Sequence, residues 1–155
     1  MRRRRADRRE IDPDVRYNNV RVQTFINHVL KKGKKNVAAS LVYGAFDIMA
    51  EKTGKDPVEL FEQAIQNASP RMEVRPRRIG GATYQIPMEV PSHRQFTLAT
   101  RWILEAARAK KGMPFDQCLA DELLNAVNNE GTAIRKREEA HRMAKANRAF
   151  SHFRF

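Results

Sequence analysis

The stretch from Arg71 to Val90 most restricts what this chain can fold into, because it alternates where the rest of the chain shows helical spacing. Gly80-Gly81 divides the stretch at a point where a tight hairpin turn needs positive φ. Pro76 and Pro87 cannot donate to a sheet ladder, so neither strand can be central in a sheet. The sequence therefore predicts a two-stranded β-ribbon whose outer edges are both free. Beyond the turn, alternate residues share one half-buried face, namely Ala82, Tyr84, Ile86, Met88 and Val90.

The remaining apolar residues recur at helical spacing and predict six helices, three before the ribbon and three after it. Capping residues and glycines mark their ends. The predicted boundaries are Asn18 or Asn19 to Gly33 for the first helix, Gly54 for the end of the second, Asp56-Pro57 for the start of the third, Ser92 with Gln95 for the start of the fourth, Pro114 for the start of the fifth, and Gly131-Thr132 to about Asn147 for the last. We expect a mainly α protein, a single domain over residues 1–155 with one extended β-hairpin between the third and fourth helices. It carries a basic N-terminal arm at 1–17, the ribbon at 71–90 and a C-terminal tail at 150–155.

The charge balance predicts an anionic partner. The 155 residues carry 30 Lys and Arg against 18 Asp and Glu, a formal charge of +12, which indicates binding to nucleic acid or to an anionic membrane surface. No apolar run approaches the roughly 18 residues of a membrane span, and none follows the basic N-terminus as a secretory signal requires. We therefore expect no membrane partner. The single Cys118 excludes an internal disulfide and fits a reducing cytoplasm.

Catalytic chemistry is not indicated. The histidines are scattered, and none is spaced to share a metal with Cys118, which we expect to lie in the core beside Phe115. No acid–base pair stands out. We predict that the chain is not an enzyme and has no metal, no cofactor and no small-molecule substrate.

Basic residues cluster in four places. Six arginines crowd the start of the arm, and their mutual repulsion should keep it disordered until it meets a counter-charge. Lysines surround the turn after the first helix, and we expect Arg71, Arg75, Arg77 and Arg78 near the tip of a ribbon that can reach about 25 Å from the core. In the last helix, Arg135–Arg137 are followed by two glutamates. This segment fits a solvent-exposed helix face and a nucleic-acid contact equally well.

Three stretches together resemble the bacterial small-subunit ribosomal protein seven family: the ribbon, the turn Phe25–Lys35 and the ending Met143–Phe150. That resemblance implies a helical domain with an extended ribbon, which binds the 3′ major domain of small-subunit (16S) rRNA as a primary assembly protein and nucleates the head. It also implies neighbouring ribosomal proteins, exit-site tRNA and mRNA close by, and a location in the ribosome, in the cytoplasm.

The residues expected to serve these roles fall into two groups. Those expected to bind rRNA are Arg2, Arg3, Arg4, Arg5, Arg8, Arg9, Lys31, Lys32, Lys34, Lys35, Arg71, Arg75, Arg77, Arg78, Arg94, Lys110 and Lys111. Those expected near tRNA or mRNA are Arg77, Arg78, Gly80, Gly81, Tyr84, Arg142, Arg148, His152, Phe153, Arg154 and Phe155.

Two questions stay open at this point. The alternative function is an architectural DNA-binding protein that grips a duplex with its basic ribbon, since such proteins use similar arms. For the tail, either Phe150 packs back on the last helix while the rest frays, or Phe153 and Phe155 stack on a base or partner protein with His152 and Arg154 on phosphate. The tail phenylalanines have no evident core to enter.

Overall fold

Seven helical segments and one hairpin make up the computed structural model, which describes residues 3–153. The elements in chain order are α1 Val20–Val29, α2 Lys35–Thr53, α3 Pro57–Ala68, β1 Met72–Ile79, β2 Ala82–Glu89, α4 Ser92–Ala109, α5 Phe115–Val127, α6 Thr132–Ala146 and a terminal 3₁₀ helix Arg148–Phe153. The expected mainly helical fold, with a hairpin between the third and fourth helices, is confirmed. The terminal 3₁₀ helix was not predicted. None of the helices in the described part of the chain has both the length and the apolar character needed to cross a membrane.

Local signals account for most helix ends. The Asn19 side chain accepts hydrogen bonds from the amides of Arg21 and Val22 and begins α1, and Asp56 caps α3 ahead of Pro57. Gly54 ends α2 in the left-handed region at φ 67°, where a residue without Cβ is favoured.

One predicted boundary and one predicted cap are wrong. The first helix ends at Val29 rather than Gly33. The amide of Leu30 still donates to the Ile26 carbonyl, but the backbone of Leu30 is extended, with ψ of 129°, and the helix cannot continue past it. The fourth helix begins at Ser92 as predicted, but without the expected capping box. Pro91 precedes it instead, and the Pro91 carbonyl accepts from the amides of Arg94 and Gln95.

The core lies among the helices, with α5 packed against α2, α3 and α4. Phe61 of α3 is its aromatic centre, with its ring centroid 5.1 Å from that of Phe25 and 5.5 Å from that of Phe46. All three rings are fully buried, and each contributes on the order of 1.5–3 kcal/mol through burial alone. Cys118 is buried in the same core, as expected.

The ribbon is antiparallel, with a register running from Met72 opposite Glu89 to Ile79 opposite Ala82. Gly80 and Gly81 form the two-residue loop with φ of 57° and 89°, as the sequence predicts. Ile86 and Val90 are buried as expected. Pro87, on the opposite face of β2, is buried too, because α6 covers that face at the base of the ribbon. The base of the ribbon is therefore clamped, and only its outer half projects, a length of about 15 Å rather than 25 Å.

Candidate nucleic-acid interface

The arginines of the ribbon have different surroundings along its length. Arg71 lies at the base, not near the tip as expected, and its amide donates to Nε2 of His141 on α6 at 2.8 Å. Arg78 is exposed beside the Gly80-Gly81 turn, and Arg77 lies opposite Tyr84 on β2. The projecting end of the ribbon therefore carries two of the four arginines.

Glu73 holds two of the predicted RNA-binding arginines. Arg94, at the start of α4, grips both oxygens of its carboxylate at 2.7 and 3.0 Å, and Arg75 donates to the same carboxylate at 3.0 Å. Burial raises the pKa of Glu73, but the hydrogen bonds and charges of Arg94 and Arg75 lower it by more, so the pKa lies below its usual value. One carboxylate thus partly neutralises two guanidinium groups and ties the ribbon to α4.

The turn between α1 and α2 presents a dense positive charge. This lysine turn consists of Lys31, Lys32, Lys34 and Lys35, which are all exposed, together with Gly33. Lys32 and Gly33 reverse the chain direction with φ of 54° and 73°. Within residues 3–153, none of the four lysines forms an ion pair. α2 begins there with no side-chain cap and no acidic residue in its first turn. Its free amides and helix dipole therefore favour an anion at the same place as the lysines.

The arm is anchored where it joins the domain. Asp14 is buried, and its carboxylate accepts from the amides of Arg16, Tyr17 and Asn19 and from the Tyr43 hydroxyl, at 2.8–3.1 Å. Burial raises the pKa of Asp14, but these hydrogen bonds lower it more, so the carboxylate stays ionised. The predicted arm of residues 1–17 therefore has a fixed last segment, and the exposed arginines precede it.

From Asp14 the arm runs back over α1 toward α4. Arg9 and Asp12 line a shallow depression with Lys35, and Arg8 shares another with His93 at the start of α4. The pKa of His93 is lowered by reduced hydration and by the positive charges of Arg8, Arg5 and Arg94. The arm thereby joins the lysine turn, the start of α4 and the base of the ribbon into one positive surface.

Other predicted residues lie apart from this surface or serve the fold. Lys110 forms an ion pair at 3.0 Å with the buried Glu122, so its ammonium is committed to holding α4 on α5, whereas Lys111 is exposed. Arg142 and Arg148 are exposed near the C-terminal end. Arg2, Arg154 and Phe155 lie outside the described residues.

Residues 150–153 of the tail pack on the ribbon, which contradicts the expectation that Phe150 and Phe153 have no core to enter. The centroid of the Tyr84 ring lies 5.2 Å from that of Phe150 and 5.9 Å from that of Phe153, and the planes of the second pair are inclined by 29°. His152 is exposed beside Phe153. Tyr84, expected near tRNA or mRNA, is therefore half covered by the chain's own tail.

Several contacts that position the interface were missed by sequence reasoning. Arg16 pairs with Asp47 and lies over the rings of Tyr17 and Tyr43, which fixes the chain next to Asp14. Arg137 of α6 donates to the Asn67 carbonyl at the end of α3. These partners lie 31 and 70 residues apart in sequence, so no local pattern indicates them. No group of described His, Cys, Asp or Glu residues is arranged to hold a metal ion.

Comparison with known proteins gives a consistent result over the whole chain. The family model described as ribosomal protein S7p/S5e matches residues 1–148. Small ribosomal subunit proteins uS7 from Thermotoga neapolitana and Thermotoga maritima are each 59% identical over 155 residues, covering all of both chains. The uS7 protein of Dictyoglomus turgidum is 58% identical over 147 residues, covering 95% of this chain and 94% of its own.

Proposed function

The chain belongs to the ribosomal protein S7p/S5e family, a structural and non-enzymatic component of the small ribosomal subunit, and from this premise we propose that it binds 16S rRNA directly. Its target is the 3′ major domain, where it acts as a primary binder and nucleates assembly of the head. As a ribosomal protein it works in the cytoplasm. Family membership leaves the alternative of an architectural DNA-binding protein without support.

The lysine turn supports this proposal most directly. Four exposed lysines, unpaired within residues 3–153, surround the uncapped start of α2, so ammonium groups and backbone amides converge on one place. A folded RNA brings several phosphates together at such a point, and the bound phosphates displace condensed counterions. The arm and the start of α4 extend the same charge along one face. Recognition then depends on RNA shape more than on base sequence, since the deep major groove of RNA hides the base edges.

The projecting end of the ribbon and the C-terminal region form a second part of the proposal. Arg78 and the Gly80-Gly81 turn reach beyond the clamped base, where a small turn allows close approach to a backbone. Exposed Arg142, Arg148 and His152 flank the docked tail on the other side. These groups face exit-site tRNA and mRNA in the assembled subunit, and neighbouring ribosomal proteins share the region. All 155 residues act as one domain.

A binding comparison tests the proposal. The full-length chain is titrated against the isolated 3′ major domain of 16S rRNA, the 5′ domain of similar length, and duplex DNA of equal charge, all at the same salt concentration. We expect at least tenfold tighter binding to the 3′ major domain, with backbone protection confined to it in footprinting. Equal affinity for all three would reduce the interaction to nonspecific polyanion binding and would contradict the proposal.

A further inference from the structure

A groove of about 260 Å³ opens beside the lysine turn, between the start of α2, the end of α4 and the start of α5. Its walls are aliphatic and aromatic, and Val37 at its edge is 55% exposed. The apolar lining residues are Val29, Val37, Ala38, Leu41 and Phe115.

Positive charge surrounds this apolar groove. Lys31 and Lys34 line it from the turn, and Arg108 lines it from α4, with one guanidinium nitrogen fixed on the Val29 carbonyl at 3.3 Å. The described residues that line the groove include no carboxylate. An occupant that satisfies both features has a flat apolar body and negative charge on its flanks.

We propose that the groove receives one unpaired nucleotide of the bound RNA, with its base against Phe115 and the aliphatic wall and its flanking phosphates at Lys31, Lys34 and Arg108. Every base has an apolar face that stacks on aromatic side chains, and unpaired bases of folded RNA are the ones that can be splayed out. An acidic peptide would match the charge as well. RNA is favoured because the groove adjoins the turn whose remaining lysines already form the proposed phosphate-binding site, so the inference rests on the proposed function.

The test measures the affinity of the full-length protein for the 3′ major domain of 16S rRNA over a range of salt concentrations. Phe115→Leu removes the aromatic face while keeping an apolar side chain, and Val37→Trp fills the groove without changing charge. Val20→Trp, at the far end of α1 where the valine is 48% exposed, is the matched control. Thermal unfolding establishes that each variant is folded.

We expect both groove variants to bind at least about fivefold more weakly than Val20→Trp, the loss that corresponds to about 1 kcal/mol of stacking. For Phe115→Leu the slope of log affinity against log salt stays unchanged, because the groove stays open and no charged side chain is removed. If the wild type binds the domain selectively and both variants match the control, the groove assignment is wrong and the proposed function stands. Normal RNA binding combined with loss of a neighbouring protein from reconstituted subunits overturns a nucleotide as the occupant. If the wild type itself shows no preference for the domain, the proposed function fails first.

Discussion

Asp14 is predicted to hold the arm to the helical domain, and its removal should cost a measurable part of the protein's stability. The carboxylate serves three backbone amides and the Tyr43 hydroxyl while buried. A hydrogen bond to a charged group contributes about 1.5–3 kcal/mol, and a buried donor left without a partner costs about 1–3 kcal/mol. Arg16 is exposed, so its amide can bond to water instead once the carboxylate is gone, and this limits the loss. We therefore expect Asp14→Ala to lower the free energy of unfolding by about 2–4 kcal/mol in total.

Asp14→Asn separates charge from shape. The amide keeps one acceptor oxygen but loses the negative charge and the second acceptor, so we expect an intermediate loss of about 1–2 kcal/mol. Urea unfolding at pH 7, followed by the fluorescence of the single Trp102, measures both variants. Asp12→Asn, an exposed carboxylate two residues earlier, is the matched control and should change stability by less than about 0.5 kcal/mol.

The same carboxylate predicts a pH dependence. Because the folded-state pKa of Asp14 lies below its unfolded value near 3.9, its stabilising contribution is complete above that value and is lost as pH falls through the lower folded pKa. Wild type should therefore lose more stability than Asp14→Asn on acidification below about pH 4. If Asp14→Ala unfolds at the wild-type urea concentration, or if both proteins respond equally to acid, the anchor is not at Asp14.

Three further perturbations test other parts of the structure. Gly81→Val places a β-branched residue at φ 89° and should destabilise the ribbon turn by at least about 1–2 kcal/mol, which would appear as faster amide exchange in β1 and β2. Gly81→Asn should have a smaller effect, because asparagine tolerates positive φ better. Equal exchange rates in the two variants would contradict the turn geometry. The pKa of His141 is lowered by burial and by the charges of Arg137 and Arg71, and its neutral Nε2 accepts from the Arg71 amide. The stability from this contact should be complete above the unfolded pKa near 6.5 and be lost as pH falls through the lower folded pKa. An Arg71 amide that is equally protected from exchange at pH 7 and pH 4.5 would disprove the assignment. Truncation after Ala149 removes the rings that cover Tyr84, and we expect nearly unchanged rRNA affinity but altered tRNA retention at the exit site; a truncated chain that fails to bind rRNA, or that retains tRNA as wild type does, would refute this role for the tail.

Features encoded by adjacent residues could be predicted from the sequence. Asn19, Gly54 and Asp56-Pro57 act on the backbone within a few positions, and the Gly80-Gly81 loop fixes the ribbon register through its own φ angles. Exposed charges in the lysine turn were predictable for the same reason, because they depend on local density rather than on a distant partner.

Features that depend on long-range packing could not be predicted. Glu73 binds the guanidinium groups of Arg75 and of Arg94, which is 21 residues away, so arginines that look free in the sequence are partly committed in the fold. His141 accepts from the Arg71 amide across 70 residues. Pro87 is buried although the alternation places it on the outer face, because α6 covers that side of the base. Phe150 and Phe153 find Tyr84 only because the chain turns back through a 3₁₀ helix.

The salt dependence of rRNA binding tests the central claim most directly. Replacing Lys32, Lys34 and Lys35 together by glutamine removes three charges from the turn, and replacing exposed Lys52, Lys55 and Arg101 by glutamine removes three charges from elsewhere. Each phosphate contact contributes roughly 0.7–0.9 to the slope of log affinity against log salt, so the turn variant should flatten the slope by about 2–3 units while the control stays near wild type. Equal slopes in the two variants would mean that only net charge matters, and would contradict an rRNA site at this turn.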